Sequence, residues 1–480
     1  MKTLLLQLPK SKKTLHLKVA DSIRGAILNG QLLPGEKLPS SRVLAKQLGI
    51  HRQTIMAAFE ELAMEGWTVS LLRKGYLVAD SKALQFVTAK MPIRKPKQDH
   101  QYEWRWRTKV NLGSFQAETP IRYNFQSGLP DLELFPKEEF RSHIAHAMKK
   151  GSKNLLGYGS PYGIEPLRKA IDTCLRRLKN ISDRTTIITH GSQEAVYLTI
   201  RLLVQAGDCV AIEDPGYPPL QELLRTMGAK TLPLPLDGEG LIPEKLEAAV
   251  KKFPIRVLFL TPLHQFPSTV ILSAPRRIQI YEIARKHSIA IVEDDYDHEF
   301  HYRTQPLEPM ASHDTYGQVI YLSTLSKLMF PGARLGFMSV PQSFAKNFTQ
   351  YRRLVTHANE SITQQALASW ILDGGFERHL NRMRRVYERR LKTIEESLDG
   401  LKTNGKVSWQ SPSGGMALWL DVKQNSTNVA EKALEKGIFV TPESYYRFDG
   451  KPGTHMRVGF SNQSENNLKA GIAEFEKILR

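Results

Sequence analysis

The stretch STLSKLMFPGARLG, residues 323–336, carries the strongest chemical signal in this 480-residue chain. It continues a β-forming run at 319–323 and places Lys327 among hydroxyl side chains, with Arg334 seven residues later. A single lysine or arginine is more often a surface charge than a functional group. The hydroxyls, the glycine turn and the two cations together favour an amine held close to a phosphate group.

Short β-rich runs separated by helices surround this stretch. The pattern predicts strands at 186–189, 209–213, 257–260, 289–293 and 319–323. Helices are predicted from Ser192 onward and over 275–287. This alternation is typical of a mainly parallel α/β sheet with helices on both faces, in which ligands bind at the carboxyl ends of the strands.

Two further strand ends carry polar groups that suit a ligand. Ser192 and Gln193 lie where a strand meets the start of a helix, and backbone N–H groups at such a place bind phosphate. A single glycine-serine turn is weak support, because most are only turns. Asp294 and Asp295 end another strand, where buried carboxylates are costly unless a cation pairs with them. Together with residues 323–336, these strand ends favour one functional site over a set of unrelated charges.

The first 80 residues show a different pattern, of three short helices and a hairpin. The second helix opens at Pro39-Ser40-Ser41, with a serine as its cap, and ends at Gly49, and the third begins at 51–54, a spacing typical of a helix-turn-helix. The runs at 67–72 and 76–78, joined by Arg-Lys-Gly at 73–75, predict a hairpin with a basic tip, which is a wing. A helical protein-interaction domain is the alternative.

The excess positive charge is concentrated in the same part of the chain. Residues 1–110 contain 20 Lys and Arg against 8 Asp and Glu, so they hold +12 of the total net charge of +19. Such a concentration is typical of a nucleic-acid-binding module, although a solvated basic surface would produce the same charge.

Length and composition limit the remaining possibilities. A chain of 480 residues predicts two or three domains, and 41% hydrophobic with 24% charged residues is a globular composition. No apolar run approaches the roughly 18 residues that a membrane span needs, and the basic start breaks too early for a signal peptide. Cys174 and Cys209 stand outside any paired motif. We therefore expect a cytoplasmic protein without disulfides or a metal.

The N-terminal residues resemble the GntR superfamily of bacterial regulators. The matching strings are PGEKLPSSR at 34–42, LGIHRQT at 48–54 and ELAMEGW at 61–67. The resemblance implies that the residues facing double-stranded DNA are Arg42, Arg52, Gln53 and Thr54, with Gly75 on the wing near the minor groove. Ser41 departs from the pattern, because many relatives carry glutamate there.

The C-terminal residues resemble fold-type I enzymes that use pyridoxal 5'-phosphate (PLP), the aspartate aminotransferase superfamily. Further matching strings are FQSGLPDLELFP at 125–136, YGSPYGIEPLR at 158–168, TPLHQFP at 261–267 and HMRVGF at 455–460. Fused to a GntR-type domain, they resemble the MocR/GabR family of regulators. We therefore predict a multidomain chain with an α+β winged helix-turn-helix at 1–80, a linker at 81–118, and an α/β PLP-dependent transferase-like domain at 119–480 with large and small subdomains.

The resemblance implies a role for each matching residue. Lys327, the predicted catalytic residue, would form the internal aldimine with PLP. Asp294 would pair with the pyridine nitrogen, Tyr296 with the ring hydroxyl, and Tyr217 would stack on the ring. The phosphate would be held by Ser192, Gln193, Thr324, Ser326, Arg334 and, from the neighbouring subunit of a homodimer, Tyr158. Arg457 would clamp the α-carboxylate of a ligand.

Two positions depart from the aminotransferase pattern. Phe266 stands where these enzymes carry the asparagine that donates a hydrogen bond to the PLP hydroxyl, and Thr269 stands where glycine is usual. Because an apolar ring cannot make that hydrogen bond, we expect at most weak or partial transamination.

The predicted function is a PLP-dependent, DNA-binding transcription regulator. It would sense an amino acid, an amine or PLP itself through aldimine chemistry at Lys327. The alternative is an active PLP-dependent aminotransferase with an appended DNA-binding domain. A third hypothesis, a regulator with a vestigial PLP site, is opposed by the intact spacing of Lys327 and Arg334.

Overall fold

The chain divides into two compact units, Met1–Trp106 and Arg107–Arg480. The structure, a computed structural model, describes residues 13–71, 75–80, 120–149, 153–302 and 307–479, and positions 6, 8, 9, 83, 84, 105 and 108–110. No helix within these residues is long and apolar enough to cross a membrane. Most of the predicted linker, 81–118, lies outside the described residues, so the predicted domain limits stay predictions.

The N-terminal unit consists of three helices and a two-stranded hairpin. Its elements are α1 (Leu15–Leu28), α2 (Ser41–Leu48), α3 (Arg52–Met64), β1 (Thr68–Leu71) and β2 (Gly75–Val78). The side chain of Ser40 caps α2 by accepting a hydrogen bond from Val43 N at 3.3 Å. Gly49 ends α2 with φ 66°, a left-handed conformation that favours glycine. These boundaries confirm the predicted helix-turn-helix.

The core and the wing complete this unit. Ile23 of α1, Leu44 of α2 and Phe59 of α3 are buried in one apolar cluster. In the hairpin, Thr68 pairs with Val78 and Leu71 with Gly75 in antiparallel register. The predicted basic tip, Arg73 and Lys74, lies outside the described residues.

The C-terminal unit is built on an eight-stranded sheet. It opens with β3 (Tyr123–Asn124), α4 (Lys137–Lys149), α5 (Lys153–Leu156) and α6 (Glu165–Lys179). The sheet strands are β4 (Thr185–Thr189), β5 (Cys209–Asp214), β6 (Lys230–Asp237), β7 (Gly240–Leu241), β8 (Ile255–Leu260), β9 (Ala290–Asp295), β10 (Val319–Thr324) and β11 (Gly336–Val340). Helices beside them are α7 (Gly191–Leu203), α8 (Pro218–Met227), α9 (Pro243–Val250), α10 (Ala274–Lys286), α11 (Gln342–Arg353), α12 (Ile362–Leu372) and α13 (Gly375–Thr403).

The strand order brings the predicted functional strand ends to one edge. The order is β4-β11-β10-β9-β8-β5-β6-β7, in which β10, β9, β8, β5 and β6 run parallel. Strand β11 is antiparallel to both β10 and β4, so β4 points the same way as β10. The carboxyl ends of β4, β5, β8, β9 and β10 therefore share one edge, as predicted.

Both faces of this sheet are buried. Successive residues such as Val257 and Leu258, or Ile320 and Tyr321, belong to two separate buried clusters on opposite faces. A sheet covered on both faces needs nearly continuous apolar strands, which explains why short β-rich runs identified these strands in the sequence.

A smaller subdomain follows α13. Its elements are β12 (Ala417–Asp421), α14 (Ser426–Glu435), β13 (Ile438–Phe439), β14 (Thr441–Pro442), β15 (His455–Gly459) and α15 (Glu465–Leu479). Strand β15 lies between β12 and β14, and β13 pairs with β3. This places Arg457 in the middle of a three-stranded sheet, opposite Trp419 and Thr441.

Candidate functional site

Lys327 lies three residues beyond the end of β10 and presents a half-buried amine. Its Nζ donates a hydrogen bond to the Gly128 carbonyl oxygen at 2.5 Å. A Cβ atom on Gly128 would lie 3.1 Å from that Nζ, closer than an ordinary contact, and the φ of 73° at Gly128 favours glycine. Burial lowers the pKa of Lys327, and the charge of Arg457 lowers it further, whereas Asp297 and Asp294 raise it. A lowered pKa leaves more of the amine unprotonated and nucleophilic.

Asp294 lies on β9, opposite Leu322 of β10. Its carboxylate is buried, and its Oδ1 accepts no hydrogen bond from any described residue. Burial and the neighbouring charge of Asp295 raise the pKa of Asp294 to about 7. A buried carboxylate without a cationic partner fits the predicted pairing with a protonated pyridine nitrogen.

The adjacent carboxylate, Asp295, is already paired. Its Oδ2 accepts a hydrogen bond from Lys179 Nζ at 2.5 Å and another from the Tyr321 hydroxyl. Burial acts to raise the pKa of Asp295, but the charge of Lys179 and these hydrogen bonds lower it to about 2. The acidic pair seen in the sequence therefore divides into a paired carboxylate and an unpartnered one.

The predicted phosphate site lies at the start of α7. Gly191 begins this helix with φ 72°, and a Cβ there would lie 3.3 Å from the Arg334 guanidinium. Arg334 donates a hydrogen bond to the His190 carbonyl oxygen at 3.0 Å. The structure thus brings the guanidinium beside the N-terminal end of α7, where Ser192 and Gln193 lie. Helix N–H groups next to an arginine form an anion site.

The remaining predicted phosphate ligands follow β10. Thr324 Oγ1 accepts a hydrogen bond from Ser326 N at 3.2 Å, and both residues are buried. On the other side of the site, the Tyr217 hydroxyl donates to Gln193 Oε1 at 2.8 Å. Burial raises the pKa of Tyr217 and of Tyr296, so both phenols keep their protons and can donate.

Arg457 is a buried cation whose hydrogen bonds to the described residues go to neutral groups. Its side chain is 1% exposed, Nη1 donates to the Pro267 carbonyl oxygen, and Nη2 donates to the Tyr296 hydroxyl at 3.3 Å. Its Cζ lies 4.6 Å from the centroid of the Phe266 ring. Within the described part of the chain, no carboxylate forms an ion pair with Arg457. Because an unpaired buried charge is costly, a ligand carboxylate would supply the missing counter-ion.

The predicted DNA-contact residues lie at the starts of α2 and α3. Arg42, Arg52 and Gln53 are exposed, and Thr54 is half-buried. Arg52 Nε donates to the Ser41 hydroxyl at 3.1 Å, so the residue that departs from the GntR pattern holds an arginine across the turn. Gly75 begins β2 with φ 99°.

Comparison with known proteins agrees with both halves of this description. The model of bacterial regulatory proteins of the gntR family matches residues 15–78, and that of aminotransferase class I and II matches residues 124–475. The chain is 31% identical to the probable rhizopine catabolism regulatory protein MocR of Rhizobium meliloti, over 95% of this chain and 92% of that protein. This chain belongs to the MocR-type family.

Two further relatives agree with this assignment. The pyridoxine biosynthesis transcriptional regulator PdxR of Corynebacterium glutamicum is 26% identical, over 97% of this chain and 96% of that protein. The kynurenine aminotransferase of Pyrococcus horikoshii, solved with PMP, superimposes with a TM-score of 0.71 at 28% identity, over 75% of this chain and 91% of that one. The MocR-type chain is therefore a DNA-binding transcription regulator whose second domain is a fold-type I PLP domain, as predicted.

The residues of this MocR-type regulator fit its PLP cofactor. The unpartnered Asp294 oxygen, the Lys327 amine and the cradle formed by Gly191 and Arg334 lie at one edge of the sheet. Tyr158 is not part of this group within one chain. It is 97% exposed, and its ring lies 5.9 Å from that of His357. Its predicted role, reaching the site of a neighbouring subunit, stays a prediction.

Sequence reasoning missed one buried pair in this MocR-type site. His264 Nδ1 and Asp297 Oδ1 lie 2.8 Å apart, and both side chains are almost fully buried. A Cβ on Gly415 would lie 3.0 Å from Asp297 Oδ2, so the small subdomain packs directly on the pair. His264 lies inside the matched string at 261–267, but nothing in the local sequence indicates its partner 33 residues away.

Proposed function

We propose that this regulator senses a primary amine, an amino acid in particular, at Lys327 and converts its binding into a change of DNA affinity. One observation carries the proposal: Arg457, a fully buried cation without an anionic partner among the described residues, lies close enough to the half-buried Lys327 amine for its charge to lower the pKa of that amine. A ligand with both an amino group and a carboxylate satisfies both groups.

PLP supplies this site with an aldehyde carbon to which an amine can be joined. We assign its pyridine nitrogen to Asp294, its ring to Tyr217 and Tyr296, and its amine attachment to Lys327. We assign its phosphate to Ser192, Gln193, Thr324, Ser326, Arg334 and the Tyr158 of a second subunit in a homodimer. The support is the geometry described above together with the order of these residues in the family.

The chain's own residues determine how a ligand is held. The raised pKa of Tyr296 keeps its phenol as a donor, while Arg457 orients the carboxylate end of the ligand. Asp294 can exist as an acid or as a carboxylate near neutral pH, so pairing with a cation converts it fully to the carboxylate. Phe266 provides no donor at the asparagine position, which favours amine exchange over repeated transamination.

Regulation then requires that the ligand bind one conformation more tightly than another. We propose that the linker at 81–118 transmits this preference to the winged helix-turn-helix, and that Arg42, Arg52, Gln53, Thr54 and Gly75 contact the duplex. A homodimer would read repeated or palindromic half-sites about 34–36 Å apart or at multiples of that spacing. Because its target is chromosomal DNA, we place the regulator in the cytoplasm.

The test begins with DNA sites selected from a random pool by the full-length, PLP-loaded protein. Affinity for a selected duplex is then measured with and without each of the twenty amino acids, their decarboxylated amines, and excess PLP. We expect at least one compound to change the affinity in the wild type and none to do so in Lys327→Ala. Sustained keto-acid production without any change in DNA affinity would instead establish the aminotransferase alternative.

A further inference from the structure

Phe266 lies at the centre of an aromatic cluster in the ligand site. Its ring centroid is 5.6 Å from that of Tyr217, 5.7 Å from Tyr296 and 5.4 Å from Tyr446, all in edge-to-face geometry. The Arg457 guanidinium lies 4.6 Å from the same centroid. The side chain that replaces asparagine therefore contacts the cation that we assign to the ligand carboxylate.

The loop around Phe266 is fixed by hydrogen bonds. Phe266 N donates to Thr261 Oγ1 at 2.9 Å, and that hydroxyl donates to the buried carboxylate of Glu213 at 2.7 Å. Gln265 Nε2 donates to the Pro215 carbonyl oxygen at 3.0 Å, and its Oε1 accepts from Ser268 N at 2.9 Å. The loop that carries the ring is thus fixed at the ends of β5 and β8, and Arg457 Nη1 adds one further hydrogen bond, to the Pro267 carbonyl oxygen.

The face of an aromatic ring stabilises a cation without neutralising it. Cation–π contacts are strongest when the cation is desolvated. Arg457 is fully buried, and its Nε has no hydrogen-bond partner among the described residues. The ring face therefore lowers the cost of burying the guanidinium while leaving its charge available to an anion.

We propose that Phe266 is a specificity-determining residue that holds the Arg457 guanidinium ready for a carboxylate, so that the site selects primary amines carrying a carboxylate over amines without one. This inference rests on the proposed function and deepens it. The same substitution that removes the asparagine hydrogen bond to the cofactor thereby supplies the platform for the carboxylate ligand, so loss of turnover and gain of ligand selection come from one side chain.

Two stable conjugates test the inference without knowledge of the natural effector. N-(5'-phosphopyridoxyl)glycine carries the carboxylate, and N-(5'-phosphopyridoxyl)methylamine lacks it, while ring and phosphate are the same. Their dissociation constants for full-length apo-protein are measured by calorimetry in the wild type, Phe266→Leu, Phe266→Tyr and Arg457→Met. Phe253→Leu, at an exposed phenylalanine of the same unit, is the matched control.

We expect the glycine conjugate to bind the wild type about 100-fold more tightly than the methylamine conjugate, because the carboxylate pairs with a buried arginine. This preference should fall about tenfold in Phe266→Leu, which keeps apolar volume but loses the ring face. Phe266→Tyr and Phe253→Leu should retain the wild-type preference, and Arg457→Met should abolish it.

Each other outcome overturns a defined statement. If Phe266→Leu kept the wild-type preference, or lost affinity for both conjugates equally, the ring would not hold Arg457 for a carboxylate. If the wild type bound both conjugates equally tightly, Arg457 would not be a carboxylate site, and the proposed function would be wrong as well. The Arg457→Met result distinguishes these cases, since it tests the arginine independently of the ring.

Discussion

The two halves of this regulator hold their functional side chains in opposite ways. Arg42 and Arg52 of the helix-turn-helix are exposed, whereas Asp294 and Arg457 of the effector unit are buried beyond nine-tenths. Exposed cations keep their solvation until they meet DNA, and salt screens them. Buried groups depend on the few partners within reach, which is why their pKa values and ligand preferences depend on single neighbours. The comparison implies that salt concentration controls the DNA affinity of the N-terminal unit, whereas neighbouring groups control the pKa values and the ligand preference of the effector unit.

The largest effect should follow removal of the Lys327 amine. Lys327→Ala deletes the only group that we assign to covalent attachment of PLP, so the visible absorbance of the protein-bound cofactor should disappear completely. Lys252→Ala, at an exposed lysine of the same unit, should leave the spectrum unchanged. Visible absorbance spectra of both purified variants, recorded after incubation with PLP and dialysis, test this expectation. An unaltered band in Lys327→Ala rules out this assignment.

The two units should differ most clearly in how their binding affinities depend on salt concentration. If six or more phosphates are contacted, affinity for a selected duplex should fall about 1,000-fold between 50 and 200 mM salt, because bound counter-ions are released from the DNA. PLP affinity of the apo-protein, measured by fluorescence in the same buffers, should change far less, since buried charges are weakly screened. A flat salt profile for DNA binding would contradict the electrostatic role of the N-terminal unit.

Arg52→Ala should weaken binding to the selected duplex by about 10- to 100-fold while leaving the PLP spectrum intact. Arg52 is exposed at the start of α3 and is oriented by the Ser41 hydroxyl, so its loss should not disturb the fold. Arg201→Ala removes an exposed arginine from the effector unit and serves as the control. An equal loss on random DNA would indicate a phosphate contact and exclude a contact that reads the sequence.

The same contrast explains what could be predicted from sequence. The helix-turn-helix and the strands follow from caps, glycine turns and apolar runs that neighbouring residues encode, and the motif at 323–336 indicates Lys327. The residues around Asp294 and Asp295 do not indicate which carboxylate lacks a partner, and only the family resemblance selected Asp294. The reason is that the partner of Asp295 is Lys179, which lies 116 residues away in the chain. The Arg457–Phe266 contact likewise joins two subdomains, and nothing local to either residue indicates it.

The smallest effect that we expect concerns the pH dependence of stability in the apo-protein. Burial raises the pKa of Asp294 from 3.8 to about 7, so between these values the folded state binds more protons than the unfolded state, and stability falls as pH rises. Asp294→Asn removes this contribution. The Tm of the apo variant should therefore match that of the wild type near pH 4 and exceed it by a few degrees at pH 8. Glu213 and Glu293, whose pKa values burial also raises to about 7, remain in both proteins and cancel in the comparison. Asp399→Asn, on the exposed side of α13, should show no such divergence in calorimetry.

PLP should reverse the order of the two Tm values, because a cofactor that pairs with Asp294 stabilises the wild type more than the variant. A variant that is less stable than the wild type at pH 8 without PLP would show that Asp294 already has a partner in the apo-protein.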